Sequence, residues 1–162
     1  MALTKINNNT LSAITGLPAG VGGKVLQVKY ANGNTSQSLN SVSDTDITSL
    51  SIAITPASTS SKFLLTTSVH AKFTDNSGFG MSFVKTVGGS SSVIFSDASA
   101  KSMYINSSDT GIDLRGKLSF QYFDSPSTTS EITYKVQVDV DNNVTFQEAS
   151  NQSTFSVMEV ES

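Results

Sequence analysis

Few residues in this chain have a type and spacing suited to catalysis or to metal binding. His70 is the only histidine and cysteine is absent, so a Ser-His-Asp triad would depend on His70 alone and a zinc site would lack its usual ligands. On an extended segment His70 shares its face with Ser68 and Lys72, which predicts an ordinary surface or edge position. The sequence therefore indicates neither a nucleophilic centre nor a zinc site.

Acidic residues at alternate positions near residue 140 suggest a bound cation. Asp139, Asp141 and Asn143 have the spacing of a calcium loop. An EF-hand loop also requires glycine at its sixth position and glutamate at its twelfth, and this chain has neither there. Adjacent asparagines tolerate positive φ, so we predict a hairpin turn at Asn142-Asn143. A cation site over residues 139–143 is the alternative.

Two further patterns fall short of a site. The segment GLPAGVGGKV (residues 16–25) has the outline of a phosphate-binding loop, but Pro18 stands where the motif requires glycine and Val25 where it requires a hydroxyl. Carboxylate pairs for glycoside hydrolysis, such as Asp44 and Asp46, are predicted in loops or at strand starts, with no apolar groove around them. We therefore predict no enzymatic activity and no cofactor.

The elements that must position any site are predicted to be β-strands, and residues 119–138 show the pattern best. Apolar residues alternate with polar ones over residues 119–123 and again over 132–138. A two-residue period rich in aromatic and β-branched side chains is typical of strands with one buried face. The polar segment between them, residues 124–130, is too short for a crossover helix. We therefore predict two neighbouring antiparallel strands.

The same alternation recurs along the chain from Lys24 onward, without a 3.6-residue apolar period of helical length. Residues 31–47 are polar and are predicted to form a long loop or a loosely held edge. This pattern predicts an all-β fold, an antiparallel β-sandwich of jelly-roll type, as one domain over residues 24–162. Further strands are predicted at residues 24–30, 48–55, 62–73 and 79–87 and from VIFSD, SMYI, VTFQE and TFSVMEV, with turns at 57–61, 75–78 and 88–92.

Composition excludes several classes of partner. Charged residues are 14% of the chain, against roughly 25% in typical soluble domains, and the formal net charge is −3. The interspersed charges provide neither a basic stripe for nucleic acid nor a polybasic patch for a membrane. No apolar run approaches the roughly 18 residues of a membrane span, and the first residues lack the apolar core of a signal peptide. We expect a protein made in a cytoplasm, without nucleic-acid or membrane partners.

Residues 1–23 have a different character from the rest. Large aliphatic residues recur there at irregular spacings of three to five, and a stretch with Pro18 and several glycines follows as a hinge. So many aliphatic side chains are unusual in a segment that stays in water. We predict an attachment arm that docks on a neighbouring subunit or another protein, with a frayed tail as the alternative. The arm residues are Leu3, Ile6, Leu11, Ile14 and Leu17.

Aromatic residues offer one candidate contact. Parity along the predicted strands assigns most of them to the core, including Tyr30, Tyr104 and Tyr134. Phe123 has the opposite parity to Tyr122 and is predicted to be exposed. It is a candidate for a subunit contact or for a platform on which a sugar stacks.

Four segments of the chain resemble a known class of proteins. Together they resemble small β-rich virion proteins of tailed bacteriophages, notably marine and cyanobacterial ones, and the match spans most of residues 22–160. YFDSPSTTSEITYKVQ is its most specific part. No functional motif of that class maps residue by residue onto this chain. The segments are GGKVLQV (22–28), SLSIAITPASTSSKFLL (49–65), SFQYFDSPSTTSEITYKVQ (119–137) and FSVMEV (155–160).

The resemblance implies a homotrimeric, non-enzymatic jelly-roll-like domain on a virion, assembled in the host cytoplasm. Its partners would be copies of itself, other virion proteins of the tail, vertex or capsid, and a host surface glycan. One expected function is a tail-fibre or appendage knob involved in host attachment. The alternative is a capsid decoration or cement protein that stabilises the phage head, and a carbohydrate-binding module or sugar hydrolase forms a third class.

Overall fold

A computed structural model describes residues 24–74, 76–97, 102–106, 111 and 113–161. Nine β-strands lie in these residues, and a single 3-10 turn, Glu148–Ser150, precedes the last of them. No helix in the described part of the chain is long and apolar enough to cross a membrane. The predicted arm, residues 1–23, lies outside the described residues. The strands are β1 (Val25–Gly33), β2 (Gln37–Ile54), β3 (Lys62–Phe73), β4 (Gly78–Val87), β5 (Ser90–Ser96), β6 (Met103–Tyr104), β7 (Leu114–Asp124), β8 (Ile132–Phe146) and β9 (Ser153–Val160).

The strand pairs are nested along the chain. β1 pairs with β9, β2 with β8, β3 with β7 and β4 with β5, and every pair is antiparallel. This is the pairing of one long ribbon whose tip is the turn between β4 and β5. Because β9 also pairs with β3 and β8 with β4, the ribbon rolls into a first sheet, β1-β9-β3-β7, and a second sheet, β2-β8-β4-β5. The result is a jelly roll, which confirms the predicted fold class.

Two features join the sheets into one sandwich. At one corner the last residues of β8, Val144 to Phe146, pair with Phe73 to Ala71 at the end of β3. Between the sheets, aromatic rings pack across the core: Phe83 of β4 lies 5.8 Å from Phe155 of β9, centroid to centroid. Both side chains are fully buried, and such burial contributes roughly 1.5–3 kcal/mol per side chain.

The tip of the ribbon is a two-residue hairpin. Val87 is paired with Ser90, which leaves Gly88 and Gly89 as the loop, with φ of 57° and 83°. A two-residue loop with positive φ at both positions is the type I′ turn, whose twist matches that of the flanking strands. Glycine adopts these angles without the steric cost of a β-carbon.

The polar stretch of residues 31–47 is not a loop. It forms the end of β1 and the first half of β2. Among the described strands β2 pairs with β8 alone, so the edge position given as the alternative is confirmed. Its register with β8 shifts at several points, and Ser41 and Asp44 have positive φ of 49° and 50°. Such bulges are common at sheet edges, where they obscure the alternation.

The segment around residues 119–138 forms two strands, but they are not neighbours. β7 pairs with β3 in the first sheet, and β8 pairs with β2 and β4 in the second. The polar segment after Asp124 therefore crosses from one sheet to the other, which a short loop does as readily as it closes a hairpin. The predicted turn at Asn142-Asn143 is also wrong, because β8 continues through it with a bulge at Asn142, φ 64°.

His70 is buried, contrary to the predicted surface position. It is 6% exposed, although its parity is opposite to that of the core residues Val69 and Ala71. The segment between β8 and β9 passes beside it: the Gln147 N–H donates to the His70 carbonyl over 3.1 Å, and the His70 N–H donates to Ser153 Oγ over 3.0 Å. Parity along a strand identifies a face but not what covers that face.

Candidate interaction surface

The outer face of the first sheet carries an apolar row that crosses all four strands. Val28 of β1 lies opposite Met158 of β9, Met158 opposite Leu64 of β3, and Leu64 opposite Phe123 of β7. Residues directly opposite in a pair project from the same side of the sheet. The strand neighbours of Leu64, Met158 and Phe123 point into the core, and Val28 shares their side through its pairing with Met158, so these four side chains, the apolar row, face outward.

The ends of the apolar row are well exposed. Val28 is 56% exposed and Phe123 is 53% exposed, while Met158 and Leu64 between them are half-buried. Val25 and Tyr30 lie beside the row on β1 and are also exposed. Tyr30 is therefore a surface residue and not the predicted core residue, and the same holds for Tyr104 on β6. Clustered apolar exposure of this kind marks interaction sites more often than scattered residues do.

The face around the apolar row is neutral. Next to the apolar row, toward the middle of the sheet, lie two further rows with one residue from each strand. Neither row contains a charged residue. Lys62, opposite Val160, lies at the corner beyond the apolar row. The two polar rows are Tyr30, Ser156, Thr66 and Gln121, and Asn32, Thr154, Ser68 and Ser119.

The outer face of the second sheet is charged instead. Lys135 of β8 donates to Asp46 of β2 over 2.7 Å, and Gln137 donates to the other carboxylate oxygen over 2.7 Å. Partial burial alone would raise the pKa of Asp46, but these two hydrogen bonds and the charge of Lys135 lower it below its ordinary value. Asp139 accepts a hydrogen bond from the Asp44 N–H over 2.6 Å. The two outer faces of the sandwich thus differ in character.

A charged cluster ends the neutral face. Arg115 of β7 contacts Asp113 over 2.5 Å and Glu148 over 2.9 Å, and Lys72 of β3 lies 3.5 Å from Glu148. Hydrogen bonds from Arg115 lower the pKa of Glu148 to about 2. Burial lowers the pKa of nearby His70, so its imidazole is neutral at neutral pH.

Two buried carboxylates, those of Asp124 and Glu159, lie on the inner side of the first sheet and stabilise the fold. Asp124 accepts both hydrogen bonds of a salt bridge from Lys85, at 3.1 and 3.0 Å, and a 2.7 Å hydrogen bond from the Tyr134 hydroxyl. Burial and this carboxylate raise the pKa of Tyr134. Glu159 is 0% exposed and accepts hydrogen bonds from Gln27 and from the Ala57 N–H.

The hydrogen bonds keep Glu159 ionised. Burial by itself would raise the pKa of Glu159, but the hydrogen bonds from Gln27 and the Ala57 N–H help to outweigh it, and the pKa is lowered. Both carboxylates are thus saturated with donors, as buried charges must be. Their arrangement stabilises the end of the sandwich and offers no free acid or base.

The predicted site residues have different outcomes. Phe123 is exposed, as predicted, and lies at the end of the apolar row. The arm residues lie outside the described part of the chain. Asp139 is hydrogen-bonded to backbone, and the described residues contain no group of three or more His, Asp or Glu placed to hold a metal ion.

Sequence reasoning missed three residues of the apolar row, Val28, Leu64 and Met158, and two of them leave a signal. Leu64 stands between Phe63 and Leu65, and Met158 follows Val157, as the predicted Phe123 follows Tyr122. Adjacent apolar residues break the alternation and give a strand two apolar faces. The breaks occur far apart in sequence, and only the strand register shows that they form one row.

Comparisons with known proteins place the chain in no family. No family model matches it, and no curated protein matches it. Among solved structures, it is similar to the structure of the infectious bursal disease virus Gt strain, with 12% identity and a TM-score of 0.40 over 83% of this chain and 39% of that chain. It is also similar to the VP2 subviral particle of that virus, with 13% identity and a TM-score of 0.40 over 85% and 42%. The chain thus spans less than half the length of these proteins.

Proposed function

We propose that this chain is a non-enzymatic structural protein of a bacteriophage particle, a trimeric tail-fibre or appendage knob that takes part in host attachment. The observation that carries the proposal is the neutral outer face of the first sheet with its exposed apolar row. Interface cores are likewise depleted of charge and enriched in aromatic residues and methionine. A jelly roll with such a face is suited to assembly, and this architecture is common in viral capsid domains.

The sequence resemblance supports the same function through the same residues. The four segments that resemble phage virion proteins each supply one residue of the apolar row: Val28, Leu64, Phe123 and Met158. Because all four segments contribute to one surface, the resemblance fits a role in which that surface binds a partner. The carboxylates of Asp124 and Glu159 are already saturated with hydrogen-bond donors, which fits a protein that acts by binding.

The arm is proposed as the device that holds the knob on the particle. The arm precedes Val25, the first residue of β1, which is an edge strand of the first sheet. Its five aliphatic residues are suited to burial in a partner protein. At roughly 1.5–3 kcal/mol per fully buried side chain, part of the arm would suffice for stable attachment. The loops at the opposite end would then be available for the host surface.

A density map of the phage whose genome encodes the chain tests the function. The expected result is a small number of copies, in groups of three, at the tail or at a vertex. Hundreds of copies spread over the head would favour the capsid decoration protein instead. Absence of the protein from purified particles by mass spectrometry would contradict both functions.

Host attachment has a separate test. Purified protein is expected to label host cells and to compete with phage adsorption. If it does neither while particles contain it near the tail, the protein is a structural part of the appendage and not its receptor-binding tip.

A further inference from the structure

We propose that the outer face of the first sheet, from the apolar row through the two polar rows, is the contact between copies of this chain. This inference rests on the self-association in the proposed function, but not on where the protein lies in a particle. It assigns interface residues that are distant in sequence: Val28, Leu64, Phe123 and Met158. Three kinds of observation point to a second copy as the occupant of this face.

The first observation is the absence of charge from the apolar row and the two polar rows, so no like charges meet when, in a trimer, one part of this face contacts a different part of the face on the next copy. Two copies of a strongly charged surface repel each other when they meet, as the face with Asp46 and Lys135 would if like groups were brought together. The apolar row and the two polar rows contain no charged residue. Copies can therefore approach through this face without a like-charge penalty and without burying ion pairs.

The second observation concerns the hydrogen-bonding groups around the apolar row. All eight residues of the two polar rows are Ser, Thr, Tyr, Asn or Gln. Hydroxyl and amide side chains both donate and accept hydrogen bonds. A surface made of such groups can satisfy a copy of itself, whereas a surface of donors alone or acceptors alone requires a different partner.

The third observation is size. Four strands at about 4.8 Å and three successive rows at roughly 7 Å give a footprint of about 20 by 20 Å, or on the order of 400 Å². Each partner in a standard interface buries roughly 800 Å² of accessible surface, and a surface with side-chain relief has more accessible area than its footprint. With the accessible area that side-chain relief adds, the three rows supply a large part of such an interface, with the apolar row at one end and the polar rows beside it.

Charge substitution with a matched control tests the inference. Val28→Lys places a charge in the apolar row, whereas Val93→Lys changes the same residue type at nearly the same exposure, 54% against 56%, on β5 of the other sheet. Sedimentation at 1–100 µM, a range chosen to span roughly micromolar affinities, is expected to show association of the wild type. Val28→Lys should weaken it by about tenfold or more, and Val93→Lys should leave it unchanged. Equal effects of the two substitutions, or an effect of Val93→Lys alone, would overturn the proposal.

A second measurement introduces no charge into the face and does not depend on how Val28→Lys folds. Because the chain has no cysteine, Phe123→Cys and Val93→Cys each introduce a single thiol. The alkylation rate at position 123 is expected to fall by about tenfold as the protein associates, while the rate at position 93 stays constant. Association without protection of position 123 from alkylation would show that copies meet through another surface. That result would overturn the inference but not the trimer of the proposed function.

The chain's own arm is the competing occupant. If it covered the face, the thiol at position 123 would be protected at every protein concentration, and deletion of residues 2–21 would expose it. That result would also overturn the inference. A wild-type protein that remains monomeric across the concentration range would contradict both the inference and the proposed trimer. Presence of the protein on the virion is measured independently by mass spectrometry.

Discussion

Asp124 shows how a single buried residue holds two sheets together. It lies on β7 of the first sheet, and its carboxylate binds Lys85 and Tyr134, which belong to the second. Asp124→Asn keeps the shape but leaves the Lys85 charge without a counter-ion, and breaking a buried pair typically costs about 3–5 kcal/mol. We expect urea unfolding to show a loss of about 3 kcal/mol. The same substitution at the half-exposed Asp113 should cost less than about 0.5 kcal/mol, and similar values for the two variants would contradict this account.

Glu159 gives the stability a defined dependence on pH. Its pKa is lowered in the folded protein from an ordinary value of 4.5, so its contribution is fully present above pH 4.5 and is lost as the pH falls through the folded pKa. Glu159→Gln removes that contribution. We expect the difference in free energy of unfolding between wild type and variant to be large at pH 7 and to shrink toward pH 3, as measured by urea titrations. Gln27→Ala, which removes one donor, should show a smaller effect of the same sign, and a difference that grows toward pH 3 would refute the assignment.

The β4–β5 hairpin depends on the backbone of two residues. A β-carbon at Gly88 would meet no atom within 4 Å, so a substitution there tests the positive φ alone. We expect Gly88→Val to lower the free energy of unfolding by about 1–2 kcal/mol, and Gly88→Asn to cost much less, because asparagine visits the left-handed region. The measurement is equilibrium urea denaturation. Equal losses for valine and asparagine would indicate a cause other than the turn.

Alternation in the sequence predicted strands well where one face is buried and the other wet. It identified β3, β8 and β9 because each carries a run of buried residues at every second position, and β7 because half-buried residues alternate there with exposed ones. It failed for the first half of β2, where bulges at Ser41 and Asp44 interrupt the period at a sheet edge. It also failed to show that β7 and β8 lie in different sheets, since the pairing depends on contacts with β3 and β4 far away in the chain.

At the scale of the whole molecule, the candidate surface is a product of the sheet order. Phe123 was predictable as an exposed residue from parity within its own strand. Its partners in the apolar row were not, because Val28, Leu64 and Met158 come together only when the ribbon rolls so that β9 lies between β1 and β3. Burial of His70 has the same origin, since the segment after β8 covers a face that parity alone marks as wet.

The attachment arm and the jelly roll are expected to be separable. Every strand pairing described in the structure lies between Val25 and Val160, so deletion of residues 2–21 leaves all of these pairings in place. We expect the shortened protein to melt within about 2 °C of the full chain, equivalent to less than about 1 kcal/mol for a domain of this size, as measured by circular dichroism. The same deletion should abolish incorporation into particles, measured by quantitative mass spectrometry of purified virions.

Full-length protein with serine at the five arm positions, Leu3, Ile6, Leu11, Ile14 and Leu17, is the matched control and should be lost from particles to the same extent. A shortened protein that fails to fold would make the arm part of the core, and one that still loads onto virions would place the attachment surface on the jelly roll itself.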